Sequence, residues 1–308
     1  MPCRILLAAI VSLFSLASAF AAELTVEDTP GGVAVKIDGQ PFAEYLTKSG
    51  SKSIVWPIYG PTGKLMTRSW PMDDKVASEK DRDHIHQRSL WFTHGDVNGI
   101  DFWSEGKGRI EHREFVKKTG GEEAVIVTKN DWVSPDGKKV LEDERTFTFG
   151  GDKDARWIDV DIALTATEGP VVFGDTKEGS FGVRVPSSVR VETLKGGKIV
   201  NSDGKQNLAA WGKPAAWVDY HGPIDDETLG IAILNHPSSF RYPTHWHVRT
   251  YGLFAANPFG LADFTNGKEK GEYTLPKGAG LRLRYRVLLH KGDEREGRVA
   301  EAFSAFAQ

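Results

Sequence analysis

Apolar and polar residues alternate along much of this chain with a period of two. The clearest stretches are residues 33–37, 124–127, 145–149 and 157–164. Successive side chains of a strand point to opposite faces, so each stretch predicts an antiparallel strand with one buried face. Asp-Gly, Gly-Gly and Pro-Asp-Gly sequences between such stretches predict turns. The pattern indicates an all-β fold, a large antiparallel β-sandwich with many strands.

Two later segments depart from simple alternation. Residues 281–289 alternate apolar with basic residues and then become continuously apolar, which predicts a strand that begins at the surface and enters the core. Residues 293–306 begin with an acidic turn and place Val299, Phe303 and Phe306 at helical spacing. We therefore expect a C-terminal helix whose apolar stripe packs on a sheet.

The first 21 residues have the organisation of an export signal. Arg4 is followed by an apolar run at 5–16 and by Ala19-Phe20-Ala21, a cleavage sequence of the A-x-A type. We predict a signal peptide at 1–21, a single β-sandwich domain at 22–308, and a periplasmic or secreted protein. No later apolar stretch has the 18 or so residues of a second span, so we expect no membrane partner after cleavage.

Cysteine content and charge exclude several kinds of function. The one cysteine, Cys3, lies in the predicted signal, so thiolate catalysis, cysteine-bound metals and disulfides are not expected in the mature chain. The net charge is −3, and removal of Arg4 makes it about −4, so nucleic acid is not an expected partner. GxGxxG, P-loop, GxSxG and EF-hand sequences are absent from the chain.

A histidine-rich pentad, His-x-His-x-Arg, occurs twice, at 84–88 and 245–249. Random placement would give roughly one such pentad in a hundred chains of this composition. On a strand, each pentad would place two imidazoles and one guanidinium on a single face. The residues concerned are His84, His86, Arg88, His245, His247 and Arg249.

Several longer blocks resemble one protein family. They are SLWFTHGDVNGIDFW, GDTKEGSFGVRVPSS, WVDYHGP, GIAILNHPSS and PTHWHVRTYGLFAANPFG. These blocks are similar to the DUF6807 family, often labelled "methane oxygenase PmoA family", and the resemblance covers nearly all of the mature chain. It implies a supersandwich of the galactose mutarotase-like type and a role beside sugar enzymes. One departure is Ile85, where the family pattern leads us to expect proline.

The label itself conflicts with the sequence. A membrane methane monooxygenase subunit crosses the bilayer several times, whereas this chain has no predicted span after its signal. We therefore keep a metal-dependent oxygenase only as a third hypothesis. The first is a carbohydrate lyase, hydrolase or epimerase, and the second is a non-catalytic glycan-binding module.

The pentads suit two chemistries if they meet in space. Imidazoles can act as base and acid on a sugar while arginine holds an anionic oxygen. Alternatively, imidazoles with one carboxylate bind a divalent metal, for which the candidate ligands are His84, His86, His245 and His247. The competing interpretation is a solvated polar rim of a sheet. The candidate catalytic residues are His84, His86, His245, His247 and Glu178, and the candidate substrate-binding residues are Arg88, Arg249, His221 and Asp175.

Other polar and aromatic residues have simpler interpretations. His221 either joins the site from a strand end or caps a backbone carbonyl. We expect turn chemistry rather than calcium binding at Asp96, Asn98 and Asp101. Trp246, between two outward imidazoles, should face the core, and core positions are also favoured for Trp91, Trp103 and Phe254. We interpret His112, His236 and His290 as structural.

Overall fold

The computed structural model describes residues 22–75 and 81–308. The predicted signal peptide, with Cys3, lies outside the described residues. Within the described ranges, no helix is long and apolar enough to cross a membrane.

The chain forms eighteen described strands and two short α-helices. In chain order the strands are β1 (Leu24–Asp28), β2 (Gly32–Ile37), β3 (Gln40–Ser49), β4 (Lys52–Ile58), β5 (Leu90–His94), β6 (Arg109–Thr119), β7 (Ala124–Val133), β8 (Lys139–Gly151), β9 (Ala155–Thr165), β10 (Val171–Phe173), β11 (Gly179–Arg184), β12 (Lys198–Asn201), β13 (Trp217–Ile224), β14 (Glu227–Asn235), β15 (His245–Val248), β16 (Leu253–Asn257), β17 (Tyr273–Leu275) and β18 (Gly280–Lys291). The helices are α1 (Leu261–Thr265) and α2 (Val299–Phe306).

Two eight-stranded antiparallel sheets pack face to face. The first has the order β1-β2-β3-β4-β5-β11-β16-β15, and the second has the order β12-β13-β14-β18-β9-β8-β7-β6. A small third sheet pairs β10 with β17. The predicted all-β sandwich with a C-terminal helix is confirmed.

Strand β9 shows how the period-two pattern produces this architecture. Its alternate residues Ile158, Val160 and Ile162 are buried between the sheets. On the other face Asp159 accepts hydrogen bonds from Arg286 of β18, with Nε 2.5 Å from Oδ1. The ion pair with β9 thus stabilises an outward-facing arginine of β18. Strand β18 begins with alternating exposed and buried residues and is continuously buried at 287–290, in agreement with the predicted entry into the core.

One continuous apolar core lies between the two sheets. Phe181 of the first sheet stacks on Tyr285 of the second, with ring centroids 4.5 Å apart. Trp246 also faces this core, as predicted, and its indole N–H donates to the Ala215 carbonyl at 3.0 Å. Phe254 is buried in the same core.

Each sheet carries a second, smaller apolar cluster on its outer face. Helix α2 covers the second sheet, where Val299 is fully buried beside Trp217 and Leu288. The predicted helix is confirmed but begins six residues later than expected, because Asp293 accepts backbone hydrogen bonds in a turn and Arg298 has a φ of +50°. The outer cluster of the first sheet consists of Ile54, Trp91, Trp103, Leu253 and Ala255.

Candidate functional site

The first pentad forms a loop before β5, and not a strand. Its backbone carbonyls pair with a guanidinium instead of a neighbouring strand. Arg68 donates from Nη2 to the carbonyls of His84 and Gln87, both at 3.1 Å. His84 has a φ of +43°, outside the extended region. The loop is therefore positioned by a residue that is distant in the sequence.

Asp83 fixes the same loop from its other side. Arg184 of β11 donates to both carboxylate oxygens of Asp83, at 2.9 and 3.0 Å, and Arg68 forms a further ion pair with it. The Nδ1 atom of His84 lies 2.9 Å from the same carboxylate. Burial alone would raise the pKa of Asp83, but Arg184, His84 and Arg68 lower it to about 2. Asp83 therefore holds His84 in place as a charged acceptor.

The second pentad lies on β15, as the alternation requires. His245 and His247 share one face, and Trp246 occupies the other. Along a row across the first sheet, His247 pairs with Ala255, Ala255 with Gly182, and Gly182 with Trp91. Within this row, the methyl group of Ala255 is the one side chain between His247 and Trp91.

The two pentads meet at Tyr251. His84 stacks on this ring with centroids 4.9 Å apart and planes 8° apart. The guanidinium of Arg249 lies 5.7 Å from the centroid of the same ring, and that of Arg184 lies at 4.7 Å. His86 lies 5.8 Å from His84 and 6.1 Å from Trp103, measured between ring centroids.

We call this outer face of the first sheet the histidine basin. Its members are His84, His86, Trp91, Trp103, Gly182, His247, Arg249, Tyr251 and Ala255.

Two imidazoles of the basin are held in the neutral state. Burial lowers the pKa of His247 to about 3, and the charges of Arg249 and Lys177 act in the same direction. Burial likewise lowers the pKa of His86 to about 4, helped by Lys52 and His84. The Nδ1 atom of His247 is buried without a hydrogen-bond partner among the described residues. Both side chains can therefore accept a hydrogen bond through an unprotonated ring nitrogen near neutral pH.

Arg249 is the guanidinium available to an anion. It forms no ion pair with any carboxylate in the parts of the chain that the structure describes, at 22–75 and 81–308. Arg88 differs, because its Nε donates to Glu105 at 3.0 Å and its Nη1 donates to Ser49 at 3.1 Å. Of the two predicted arginines, the structure places Arg249 beside the histidines and Arg88 in a separate ion pair.

Lys52 is a residue that the sequence analysis missed. Its side chain is fully buried, and Nζ donates to Glu105 at 3.3 Å. Burial lowers the pKa of Lys52 to about 8, although Glu105 opposes this shift. Its charge in turn helps to lower the pKa of His86. The signal was present, because a lysine that shares a strand face with Ile54 and Trp56 interrupts an apolar pattern.

The two predicted carboxylates have different surroundings. Glu178 precedes β11, pairs with Lys177 at 3.3 Å and raises the pKa of Tyr251 in addition to the larger effect of burial. Asp175 instead accepts backbone hydrogen bonds from Ala262 at 3.0 Å and Gly271 at 2.6 Å. The structure thus brings Glu178 to the edge of the basin, whereas Asp175 holds the segment around α1.

Three further histidines, two of them predicted site residues, are not members of the histidine basin. His221 is on β13 of the second sheet, where its Nδ1 is 2.5 Å from Asp219. His245 stacks on Phe264 of α1 with centroids 6.0 Å apart. His94 is buried and interacts with Ser180 and the carbonyl of Gly174.

The four histidines proposed as metal ligands do not converge on one point. Within the described ranges, the one group of three or more candidate ligand side chains with all ligand atoms within 4.8 Å is Asp219, His221 and Glu294. The set His84, His86, His245 and His247 therefore lacks the geometry for a shared ion.

The predicted turn chemistry of the 96–101 segment is confirmed. Asp96 accepts from the amide of Gly99, and Asp101 accepts from those of Trp103 and Ser104. Trp91 and Trp103 are buried, but in the outer cluster beneath the basin rather than in the main core. Their position differs from that of Trp246 and Phe254.

Comparison with solved structures identifies proteins of similar fold, each with low identity. An α-galactosidase from Lactobacillus brevis has 9% identity and a TM-score of 0.41, over 89% of this chain and 40% of that protein. The GH36 α-galactosidase AgaB from Geobacillus stearothermophilus has 11% identity and a TM-score of 0.43, over 87% and 41%. This chain therefore spans about two fifths of the length of these two α-galactosidases. A galactose mutarotase-like protein from Lactobacillus casei has 10% identity and a TM-score of 0.41, over 87% of this chain and 100% of that protein.

Sequence comparison gives a family but no characterised relative. No individually curated protein matches the chain. The model of a family described as a "Family of unknown function (DUF6807)" matches residues 32–304, and the chain belongs to this family.

Proposed function

We propose that this protein is an exported carbohydrate-active enzyme that performs acid–base chemistry in the histidine basin. The observation that carries the proposal is the pair of neutral imidazoles, His86 and His247, in one basin with the guanidinium of Arg249, which has no ion pair with a carboxylate among the described residues. A neutral imidazole presents an unprotonated ring nitrogen to the substrate, and a guanidinium stabilises the negative charge that forms on it.

The residues favour a lyase or an epimerase over a hydrolase. Most glycoside hydrolases need two carboxyl groups beside the scissile bond. Two carboxylates lie near the basin. Glu178 is partly exposed, whereas Glu105 is already held in ion pairs with Lys52 and Arg88, so a second available carboxylate is lacking among the described residues. Abstraction of a proton next to a carbonyl or carboxylate needs one base and one cationic group, which the basin contains. We therefore infer that the substrate is a sugar or an oxidised sugar.

The aromatic residues support a sugar as the ligand. Tyr251, which is partly exposed, brings apolar ring surface beside the imidazoles. Sugars present C–H faces and hydroxyl groups together, and aromatic rings beside polar side chains are typical of small-molecule sites. The buried Nδ1 of His247 would gain the partner that it lacks in the described structure.

A turnover assay with matched histidine variants tests this proposal. Purified protein is incubated with a panel of neutral sugars and uronic acids, and products are detected by mass spectrometry. We expect the double variant His245→Ala/His247→Ala, and His86→Ala, to lose product formation while the far-UV circular dichroism is unchanged. His236→Ala, beside Phe306 near the C-terminus, should behave as wild type.

Two outcomes would reject the enzymatic proposal. Unchanged turnover in the basin variants would place the chemistry elsewhere. Saturable sugar binding with no product after long incubation would identify a glycan-binding module instead.

Export is a separate part of the proposal and has its own test. The signal-like sequence at 1–21 supports a periplasmic or secreted location. After expression in a bacterial host, the intact mass should correspond to a chain that begins at Ala22. A mature protein that retains residues 1–21 would contradict this part alone.

A further inference from the structure

A second polar cluster lies on the outer face of the second sheet. Asp219 and His221 are two residues apart on β13 and therefore share a face. Glu294 reaches them from the segment between β18 and α2. One ligand atom from each of these three side chains lies within 4.8 Å of the other two. Asp219 and His221 are buried, and the Glu294 side chain is 11% exposed.

Within the described part of the chain, the hydrogen bonds of this cluster leave the buried Oε2 of Glu294 without a partner. Asp219 Oδ1 accepts from His221 Nδ1 at 2.5 Å, and its Oδ2 accepts from His290 Nε2 at 2.8 Å. Glu294 Oε2 is buried, lies 3.7 Å from His221 Nδ1 and has no hydrogen bond within the described structure. Two carboxylates therefore face a single imidazole nitrogen. An unpaired buried carboxylate oxygen is costly, which calls for a cation at this point.

We propose that Asp219, His221 and Glu294 bind a divalent transition-metal ion of the Zn²⁺ type. One imidazole nitrogen and two carboxylate oxygens are suitable ligands for such an ion, with solvent completing its coordination. The metal takes the place of the Nδ1 proton of His221, which is released to solvent. This assignment is independent of the histidine basin, which lies on the opposite side of the sandwich.

His290 is the positioning residue of this site. Its imidazole is confined between Gly230 and Gly297, since a Cβ atom at either glycine would lie 2.2 Å or less from the ring. From there it holds Asp219 Oδ2 and leaves Oδ1 directed at His221. Hydrogen-bonded partners of this kind orient the ligands of metal sites.

The location suggests what the metal does for the fold. Glu294 belongs to the segment that leads into α2, whereas both other ligands belong to the sheet beneath it. A bound ion would connect this segment to β13 and stabilise the seating of α2. We therefore expect a structural site, with thermal stability as its readout.

Metal titration of the full mature chain tests the assignment. Protein made without an affinity tag is treated with EDTA, dialysed, and titrated with ZnCl₂ by calorimetry, and the Tm is recorded with and without Zn²⁺. We expect one equivalent to bind and to raise the Tm. His221→Ala should weaken binding by roughly 100-fold or more and Glu294→Gln by roughly 10-fold. At the same Zn²⁺ concentration both variants should show a smaller Tm increase than wild type, and His221→Ala the smallest. Mg²⁺, which prefers oxygen ligands alone, should bind much more weakly than Zn²⁺.

The controls separate this site from the basin. His247→Ala should bind Zn²⁺ as tightly as wild type. Equal Zn²⁺ affinity in wild type, His221→Ala and Glu294→Gln would overturn the proposal, as would the absence of binding to the wild type. Glu294→Gln keeps the shape of its side chain and preserves the test if His221→Ala fails to fold.

Discussion

The floor of the histidine basin depends on the absence of a side chain at Gly182. A Cβ atom there would lie 2.8 Å from the nearest ring atom of Trp91, closer than real Cβ atoms approach. Trp91 is buried between Trp103 and the sheet and has little room to move. Because Gly182 has no side chain, the indole of Trp91 can lie close to the sheet, in the same row of residues as His247.

Gly182→Ala should destabilise the protein and disturb the basin. Overpacking of this kind typically costs ~1–3 kcal/mol. The free energy of unfolding in urea measures the loss, and near-ultraviolet circular dichroism reports the displaced indole. Gly169→Ala is the matched control, because a Cβ there meets no atom within 4 Å. Equal stability of the two variants would show that Trp91 is not confined as described.

His94 should make the stability of the protein depend on pH. Burial lowers the pKa of its imidazole from 6.5 to about 4. Above pH 6.5 the ring is neutral in the folded and unfolded states, so its contribution is fully present. As the pH falls toward 4, this imidazole becomes protonated in the unfolded chain but stays largely neutral in the folded chain. The free energy of unfolding therefore decreases by about 3 kcal/mol.

Denaturation of wild type and His94→Asn at pH 7.5 and pH 5 measures this effect. The variant should be less stable at pH 7.5, because it loses the contacts of the ring, but should lose less stability on acidification. The same pH dependence in both proteins would contradict the assignment to His94.

At this scale the sequence predicts which face a residue occupies but not what it contacts. Trp246 was placed correctly because its strand alternates regularly. The fully buried Lys52, and Arg68 beneath the first pentad, were missed, because their partners Glu105 and Asp83 lie 53 and 15 residues away. Such contacts follow from the tertiary structure, which periodicity does not encode.

Among the elements, strands were predicted better than the loop that carries half of the site. The alternating stretches lie in β2, β7, β8 and β9, each of which extends beyond the predicted residues. The loop at 84–88 has a strand-like sequence, but Arg68 donates to its carbonyls at His84 and Gln87, and Arg184 donates to the side chain of Gln87. Hydrogen bonds from arginines that are distant in the sequence thus determine the conformation of this loop, and its local preference for a strand does not.

Helix α2 makes an element-level prediction about how the second sheet is covered. Val299 is fully buried on the outer apolar cluster, so Val299→Ala should reduce the free energy of unfolding by about 2 kcal/mol through lost burial and a cavity. Urea denaturation measures the change. The exposed Ser304→Ala on the same helix should change stability by less than about 0.5 kcal/mol. If both variants matched wild type, α2 would not be packed on the sheet in solution.

In the whole molecule, the site depends on a strand order that the sequence does not reveal. Neighbours β5, β11 and β16 come from three distant parts of the chain, yet their register aligns Trp91, Gly182 and Ala255 in one row. The pattern predicted a sandwich, because alternation requires a buried face for every strand. It did not predict that β11 would lie between β5 and β16, and so it left open whether the two pentads meet.

The shared core predicts that the two sheets unfold together. Phe181 and Tyr285 join them by stacking, and the buried apolar residues of both sheets form one cluster. Separation of the two sheets would expose the apolar surface of this cluster to water. Thermal unfolding should therefore be a single cooperative transition. For residues 22–308 the heat-capacity change should be roughly 4 kcal/mol/K. Differential scanning calorimetry should therefore give equal calorimetric and van't Hoff enthalpies, whereas two resolved transitions would show that residues 22–308 do not form one domain.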